Sequence, residues 1–173
     1  MLKKVLFLDF DGVLNPTLNM IALHKMWEVS NKQIKSQDEF GNVFFQYNLD
    51  CLYKILKQTK CKIVISSAWR YFGLIKIKQM WVKRGYLNVD DIIDITPFEN
   101  EVMKHENIEF YDSICRGNEI EFWLKKNNFT GNYCIVDDCD DMLYSQKDFF
   151  VQTDSRVGLL DSDVVKIVEI LNR

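Results

Sequence analysis

Two aspartates stand two residues apart, directly after the chain's first apolar run. Residues 5–8 read Val-Leu-Phe-Leu, and Asp9 and Asp11 follow them, just before Gly12. A short apolar run is typical of a strand buried on both faces, and a glycine lets the chain bend behind it. Two carboxylates at one strand end repel each other unless a cation or a proton lies between them. The spacing therefore predicts a Mg²⁺ site in which one carboxylate can also attack, with an ordinary solvated turn as the alternative.

Polar side chains also follow two later apolar runs. One run ends in Ser66 and Ser67, and the other ends in Asp137 and Asp138. Because parallel strands bring their carboxyl ends to one edge of a sheet, these groups can converge although they are far apart in sequence. Arg116 opens a predicted helix, where a cation is unfavourable unless an anion is bound nearby. Together these positions predict a site that binds a metal and an anion.

The apolar pattern alternates strands with helices along the chain. Strands are predicted at residues 5–8, 61–65, 92–96, 133–138 and 149–154. Helices are predicted from Asn48, as the N-cap, to about Thr59, from Leu74 to near Gly85, from Arg116 and from Asp161. Such alternation indicates a parallel sheet with helices on both faces. The expected fold is α/β: one doubly wound, three-layer, Rossmann-like domain over residues 1–173 with a five-stranded parallel sheet.

Residues 15–47 interrupt this alternation directly after the acidic strand. Met20, Leu23 and Trp27 fall at helical spacing, which predicts one short helix, and the turn at residues 38–42 predicts a small hairpin. A segment at this place in the chain can be a small lid over the site, or an insertion at the periphery that takes no part in the site. It is too short to be a large cap.

Composition excludes several classes of protein. The chain of 173 residues has a net charge of −3, which argues against non-specific coating of nucleic acid, because such binding rests on phosphate neutralisation. Its 5 cysteines include no Cys-x-x-Cys pair, which disfavours a zinc site and is typical of reduced thiols. No apolar run is long enough to span a bilayer, and the N-terminus does not resemble a secretory signal. A cytoplasmic protein without membrane contacts is expected.

The motifs resemble, in the same order, the four motifs of the haloacid-dehalogenase-like (HAD) phosphohydrolases. They are the segment Asp-Phe-Asp-Gly-Val-Leu at residues 9–14, a strand that ends in Ser66, a later Arg116, and a strand that ends in Asp137 and Asp138. The resemblance extends over nearly the whole chain. It implies a HAD-like fold without a large cap and an Mg²⁺-dependent phosphomonoester hydrolase.

Two segments carry a narrower resemblance. Residues 65–70 (Ile-Ser-Ser-Ala-Trp-Arg) and 116–124 (Arg-Gly-Asn-Glu-Ile-Glu-Phe-Trp-Leu) resemble the small HAD domains associated with RNA-repair proteins. Those domains are relatives of the phosphatase halves of polynucleotide kinase-phosphatases. This resemblance implies a role in nucleic acid repair.

The resemblance assigns a role to each acid. Asp9 attacks phosphorus and forms an aspartyl-phosphate, while Asp11 protonates the leaving oxygen, deprotonates the hydrolytic water and binds the metal through its backbone carbonyl. Asp9 and Asp137 are metal ligands, assisted by Asp138 directly or through water. Asp141 is the alternative second acid in this last motif.

Phosphate binding is implied for a second group of residues. Ser66 hydrogen-bonds a phosphoryl oxygen, with Ser67 beside it. Most HAD enzymes place a lysine before the last acidic strand; here Arg116 is the expected cation, and Lys104 is the alternative. Arginine can grip a phosphate with two parallel hydrogen bonds, which lysine cannot. Arg70 is a further candidate contact, unless it is a solvated residue at a helix start.

The expected substrate is the 3′-phosphorylated end of RNA or DNA, because a site without a large cap admits the end of a large molecule. A small-molecule or nucleotide phosphatase is one alternative, and a non-catalytic phosphate-binding or regulatory HAD-like module is another. Aromatic residues expected near the rim could stack on a terminal base, and they are Trp27, Phe40, Phe44, Phe45 and Trp69.

Overall fold

The computed structural model describes residues 2–30, 36–106 and 114–173. The strands in chain order are β1 Lys4–Leu8, β2 Gln37–Asp38, β3 Gly41–Asn42, β4 Lys62–Ile65, β5 Ile92–Ile95, β6 Asn132–Asp137 and β7 Phe150–Gln152. The α-helices are α1 Thr17–Val29, α2 Gln46–Thr59, α3 Leu74–Lys83, α4 Glu99–Glu106, α5 Arg116–Lys126 and α6 Asp161–Leu171. Short 3₁₀ helices lie at Ala68–Phe72, Val89–Asp91 and Tyr144–Phe149.

The described strands outside the β2–β3 hairpin form one five-stranded sheet in the order β5–β4–β1–β6–β7, and every pair in it is parallel. The chain starts at the centre, winds to one edge through β4 and β5, and then to the other through β6 and β7. The register pairs Leu8 of β1 with Ile65 of β4 and with Val136 of β6. The residue that follows each of these three therefore lies at the same edge of the sheet. The predicted doubly wound parallel sheet is confirmed.

Both faces of the sheet are buried, because β1 sends alternate side chains into two separate cores. Val5 and Phe7 pack with α5, where the rings of Phe7 and Trp123 meet edge to face at a centroid distance of 5.3 Å. Leu6 and Leu8 belong to the larger core, which α2, α3 and α6 cover. These two cores produce the three layers that the apolar run of β1 predicts.

The predicted N-cap of α2 is wrong. The helix begins at Gln46, two residues before Asn48. Asn48 is fully buried, and its Nδ2 donates to the carbonyl oxygens of Val157 at 3.1 Å and Leu159 at 2.8 Å. The amide therefore joins α2 to the loop before α6, and this tertiary contact determines its position.

The segment at residues 15–47 contains the predicted helix, α1, and the predicted hairpin, β2–β3. Asn19 is the buried residue of α1, so most of this helix stays at the surface. Residues 31–35 of the segment lie outside the described residues. The stretch from Glu99, which shows no clear pattern in the sequence, begins with α4. In the part of the chain that the structure describes, no helix combines the length and apolarity needed to cross a membrane.

Candidate active site

The ends of the three central strands meet at the carboxyl edge of the sheet. Asp9 follows β1, Ser66 follows β4, and Asp137 is the last residue of β6. The backbone N–H of Asp9 donates to the carbonyl of Val136 at 3.0 Å, and that of Ser66 donates to the carbonyl of Leu8 at 2.9 Å. The parallel ladder thus continues past the strand ends and fixes these residues side by side.

Asp9 and Asp137 form a buried pair of like charges. Burial, and then the charge of Asp137, raise the pKa of Asp9 to about 7. A hydrogen bond from the Ser67 hydroxyl and the charge of Arg116 oppose that shift. Burial also raises the pKa of Asp137 to about 6, against a hydrogen bond from the backbone N–H of Cys139. Two carboxylates that resist ionisation in one place are a site where a cation relieves the repulsion.

The donor set fits Mg²⁺. Ligand atoms of Asp137, Asp138 and Cys139 all lie within 4.8 Å of one another. Burial and the nearby carboxylates raise the pKa of the Cys139 thiol to about 11, so the donors available at neutral pH are carboxylate oxygens. Oxygen donors are the ligands that Mg²⁺ prefers. Asp137 and Asp138 would hold the ion, and Asp9 is the further ligand that the HAD resemblance implies.

Gly12 allows Asp138 to lie against the loop of the nucleophile. A Cβ atom at Gly12 would be 2.4 Å from Cγ of Asp138, and φ of this glycine is +71°. Any other residue would therefore displace the Asp138 carboxylate as well as strain the backbone. The Asp-x-Asp-Gly sequence thus serves to bring two loops together.

Asp141 has a different place from Asp138. Its carboxylate accepts a hydrogen bond from the backbone N–H of Arg116 at 3.1 Å, and its carbonyl accepts one from Gly117 at 3.0 Å. Both donors belong to the first turn of α5, whose N–H groups lack partners within the helix. Asp141 therefore caps α5, whereas Asp138 lies with Asp137.

Asp11 lies at the solvent-exposed rim of the site. Its Oδ2 accepts a hydrogen bond from Nε1 of Trp69 at 2.8 Å, and its Oδ1 accepts one from Nδ2 of Asn15 at 3.0 Å. Both oxygens are thus occupied by neutral donors. The backbone carbonyl of Asp11 is the group to which the HAD resemblance assigns the metal contact.

The two serines after β4 have different partners. Ser67 lowers the pKa of the Asp9 carboxyl, and its Oγ accepts a hydrogen bond from the backbone N–H of Trp69 at 3.3 Å. Ser66 is 1% exposed, and its Oγ is buried without a hydrogen-bond partner among the described residues. A buried hydroxyl without a partner is costly, so its presence at a strand end points to a ligand oxygen.

Arg116 is the cation beside the acids. Its Nη1 donates to the carbonyl of Ser66 at 2.8 Å, and its Nε lies 4.0 Å from Oδ2 of Asp137. The alternative, Lys104, is exposed on α4. An anion bound between Ser66 and Asp9 would therefore meet the guanidinium of Arg116.

Arg70 is buried rather than solvated. Its Nη2 donates to Oε1 of Glu119 at 2.6 Å and its Nη1 to the carbonyl of Ser67 at 3.1 Å. Its Nε is buried without a partner among the described residues. Two of its three nitrogens are therefore engaged by the protein, and Nε, which has no partner, is the candidate for the predicted phosphate contact.

Glu119 is the site residue that the sequence analysis missed. It is buried and lies between two arginines, at 2.6 Å from Nη2 of Arg70 and 3.9 Å from Nε of Arg116. Its only sequence signal is its position three residues after Arg116, which places both on one side of α5. The carboxylate balances two partly buried cations and thereby positions Arg116.

We expect Glu119→Gln to lower the free energy of unfolding by about 3–5 kcal/mol, because it leaves a buried arginine without its counter-charge. The measurement is urea denaturation at neutral pH. Glu121→Gln on the same helix is the matched control: its pair with Lys125 is solvent-exposed, so we expect a loss below about 1 kcal/mol. Equal losses in the two variants would contradict the positioning role of Glu119.

The aromatic candidates separate into core and rim. Phe44 is buried and Phe40 packs against the core, whereas Phe45 is 41% exposed. Trp27 is half-buried on α1. Trp69 has a hydrogen bond to a predicted catalytic residue, so it is the member of the set with a defined place at the site.

The chain matches a known family of domains. A family model described as the HAD domain in Swiss Army Knife RNA repair proteins matches residues 5–164. No curated protein and no solved structure matches the chain. The matched range runs from β1 into α6 and includes every strand end described above. The resemblance predicted from the motifs is confirmed, and the chain belongs to the family of HAD domains in Swiss Army Knife RNA repair proteins.

Proposed function

We propose that the protein is a Mg²⁺-dependent phosphatase that removes the phosphate from 3′-phosphorylated ends of RNA or DNA through an aspartyl-phosphate on Asp9. The observation that carries this proposal is the environment of Asp9: a buried carboxylate beside the Asp137 carboxylate, the Ser67 hydroxyl and the Arg116 guanidinium. Membership of a family of HAD domains in RNA repair proteins supports a phosphatase-type hydrolase.

The first step transfers the phosphoryl group to Asp9. An oxygen of Asp9 forms a bond to phosphorus while the bond between phosphorus and the leaving oxygen breaks. Asp11 donates the proton that the leaving oxygen needs. The Ser67 hydroxyl, which lowers the pKa of Asp9, favours the ionised form that attacks.

The phosphate is bound by the Ser66 hydroxyl, which has no other partner among the described residues, and by the charged guanidinium of Arg116. The Ser66 hydroxyl donates to one phosphoryl oxygen and thereby satisfies its buried Oγ. The guanidinium of Arg116, anchored on the Ser66 carbonyl, stabilises the charge of the phosphoryl group. Mg²⁺, when bound, offsets the charge of the phosphate and of the carboxylates that surround it.

The second step returns Asp9 to its free form. Asp11 takes a proton from a water molecule. The water oxygen bonds to phosphorus while the bond between phosphorus and the Asp9 oxygen breaks, which releases inorganic phosphate. The hydrogen bonds from Trp69 and Asn15 to the two Asp11 oxygens suit the ionised carboxylate that this step requires. In the first step Asp11 carries the proton that it transfers to the leaving oxygen.

The open position of Asp11 favours a large leaving group. The leaving oxygen must reach Asp11, and Asp11 is exposed at the rim. A nucleoside attached to that oxygen, and the strand behind it, can therefore extend into solvent. This is the geometry that the end of a polynucleotide requires.

The test compares kcat/KM for a 3′-phosphorylated oligonucleotide with that for the matching 3′-mononucleotide in the presence of Mg²⁺. We expect the oligonucleotide to be preferred by about tenfold or more, because each additional stacked base contributes to binding. A preference for the mononucleotide would overturn the polynucleotide assignment and leave the phosphatase assignment standing. Absence of hydrolysis of both substrates would overturn the phosphatase assignment itself.

A further inference from the structure

Three aromatic side chains lead from the active site to solvent. Trp69, Phe72 and Tyr71 belong to the 3₁₀ helix that follows Ser66 and Ser67, and we call them the aromatic ladder. The ring centroids of Trp69 and Phe72 are 6.3 Å apart, and those of Phe72 and Tyr71 are 6.5 Å apart. The ladder therefore forms one contiguous apolar surface.

The ladder starts at the catalytic machinery and becomes more exposed along its length. Nε1 of Trp69 donates to the carboxylate of Asp11. Phe72 is 43% exposed and Tyr71 is 83% exposed. Adjacent large aromatic rings are seldom exposed to water unless they form a binding site, because burying their apolar surface would lower the free energy of the folded protein.

The segment that contains the ladder is basic in sequence, although Lys54, Lys62, Arg70, Lys83 and Arg84 pair with acidic residues from other segments. Residues 51–89 contain nine basic residues and no acidic residue, in a chain whose net charge is −3. Nζ of Lys76 lies 5.3 Å from the centroid of the Phe72 ring. Lys76 and Lys78 have no acidic partner in the part of the chain that the structure describes. Aromatic rings beside unpaired cations match the bases and phosphates of a single nucleic acid strand.

We infer that the aromatic ladder binds the unpaired nucleotides next to the phosphate that is removed. This inference rests on the proposed function, in which Asp11 protonates the leaving oxygen. The nucleoside that carries the phosphate therefore lies on the Asp11 side, against Trp69 and Phe72. The next base stacks on Tyr71, and Lys76 attracts the phosphate that links the two nucleosides.

Binding to a catalytically inactive background tests the ladder directly. Fluorescence anisotropy is measured for Asp9→Asn protein with 3′-phosphorylated single strands of one to four nucleotides. We expect affinity to rise with the second nucleotide and then to level off. Adding Tyr71→Ala or Phe72→Ala is expected to weaken binding of the longer strands by about 5- to 100-fold, which corresponds to one lost stack.

Two variants control for effects of substitution itself. Tyr71→Phe keeps the ring and is expected to keep the affinity. Val82→Ala removes an exposed side chain of α3 that lies outside the ladder, and it is expected to have no effect. Because Tyr71 is at the surface, circular dichroism of Tyr71→Ala should match that of the parent protein.

Different experimental results would overturn the ladder inference and the proposed function. If wild-type protein hydrolyses the oligonucleotide but Tyr71→Ala and Phe72→Ala bind it as tightly as the parent does, the ladder inference is overturned and the phosphatase stands. If binding depends on the ladder but wild-type protein releases no phosphate, the proposed function fails and the ladder stands. Tighter binding of a phosphopeptide than of the matched oligonucleotide would overturn the nucleic acid assignment of the ladder.

Discussion

Replacing Asp9 by asparagine is expected to reduce phosphatase turnover by about 10⁴-fold or more, since loss of a nucleophile removes the bond-forming step and leaves only binding and charge stabilisation. The amide keeps the size of the side chain, so the fold should be unchanged. The measurement is the rate of phosphate release from a 3′-phosphorylated oligonucleotide at saturating Mg²⁺. Asp148→Asn, at an exposed position outside the site, is the control and should retain wild-type activity.

The same substitution is expected to stabilise the metal-free protein. Burial and Asp137 raise the pKa of Asp9 from 3.8 to about 7. Between about pH 4 and pH 7 the folded protein binds a proton at Asp9 that the unfolded chain releases, so this contribution to stability is lost as pH rises through that window. Asp9→Asn removes the ionisable group, and at neutral pH its Tm should rise by several degrees, at about 2–4 °C per kcal/mol.

Thermal unfolding in the presence of a chelator, over about pH 4.5–7.5, checks this expectation. The wild-type protein should lose stability as pH rises, and Asp9→Asn should show a smaller loss. If Asp9→Asn is less stable than wild type at neutral pH, the ionised Asp9 carboxylate does not destabilise the metal-free fold, and this explanation is wrong.

Arg116→Ala is expected to lower kcat by about 10²–10³-fold, the usual cost of removing one positioned charge donor. The guanidinium is anchored by the Ser66 carbonyl and lies 4.0 Å from Asp137, so no movement of the chain is needed for it to meet a phosphate. Arg116→Lys should recover only part of the rate, because an ammonium group cannot donate two parallel hydrogen bonds.

The controls for Arg116 separate its role from general charge effects. Arg156→Ala removes an exposed arginine that pairs with Asp154, and it should leave kcat unchanged. Lys104→Ala should also be silent, since Lys104 is exposed on α4. A large loss of kcat in Lys104→Ala, together with a near-normal rate in Arg116→Ala, would contradict the assignment.

The parts of the site that could be predicted are those set by local sequence. Asp9, Ser66 and Asp137 follow apolar runs, and a run of that length becomes a strand buried on both faces wherever it lies in a parallel sheet. Because the strands are parallel, their ends meet at one edge without further information. The five-stranded parallel sheet, and the convergence of these three residues at one edge of it, could therefore be predicted.

The parts that could not be predicted depend on tertiary packing. Glu119 has the spacing of a surface ion pair with Arg116, and only the approach of Arg70 from another loop makes it a buried counter-ion. Asn48 has the sequence position of an N-cap, but two carbonyls from the loop before α6 engage its amide. Tyr71 is 83% exposed in the 3₁₀ helix after Ser67, and nothing in its local sequence distinguishes it from an aromatic residue of the core.

In the proposed mechanism the Asp9 carboxylate itself bonds to phosphorus. A crystal structure of the protein with Mg²⁺ and beryllofluoride, which mimics a phosphoryl group on a carboxylate, tests this claim most directly. We expect beryllium to be bonded to an oxygen of Asp9, with one fluorine near the hydroxyl of Ser66 and another near the guanidinium of Arg116. A structure in which Asp9 has no bond to beryllium, and a water molecule is aligned for attack in its place, would contradict it.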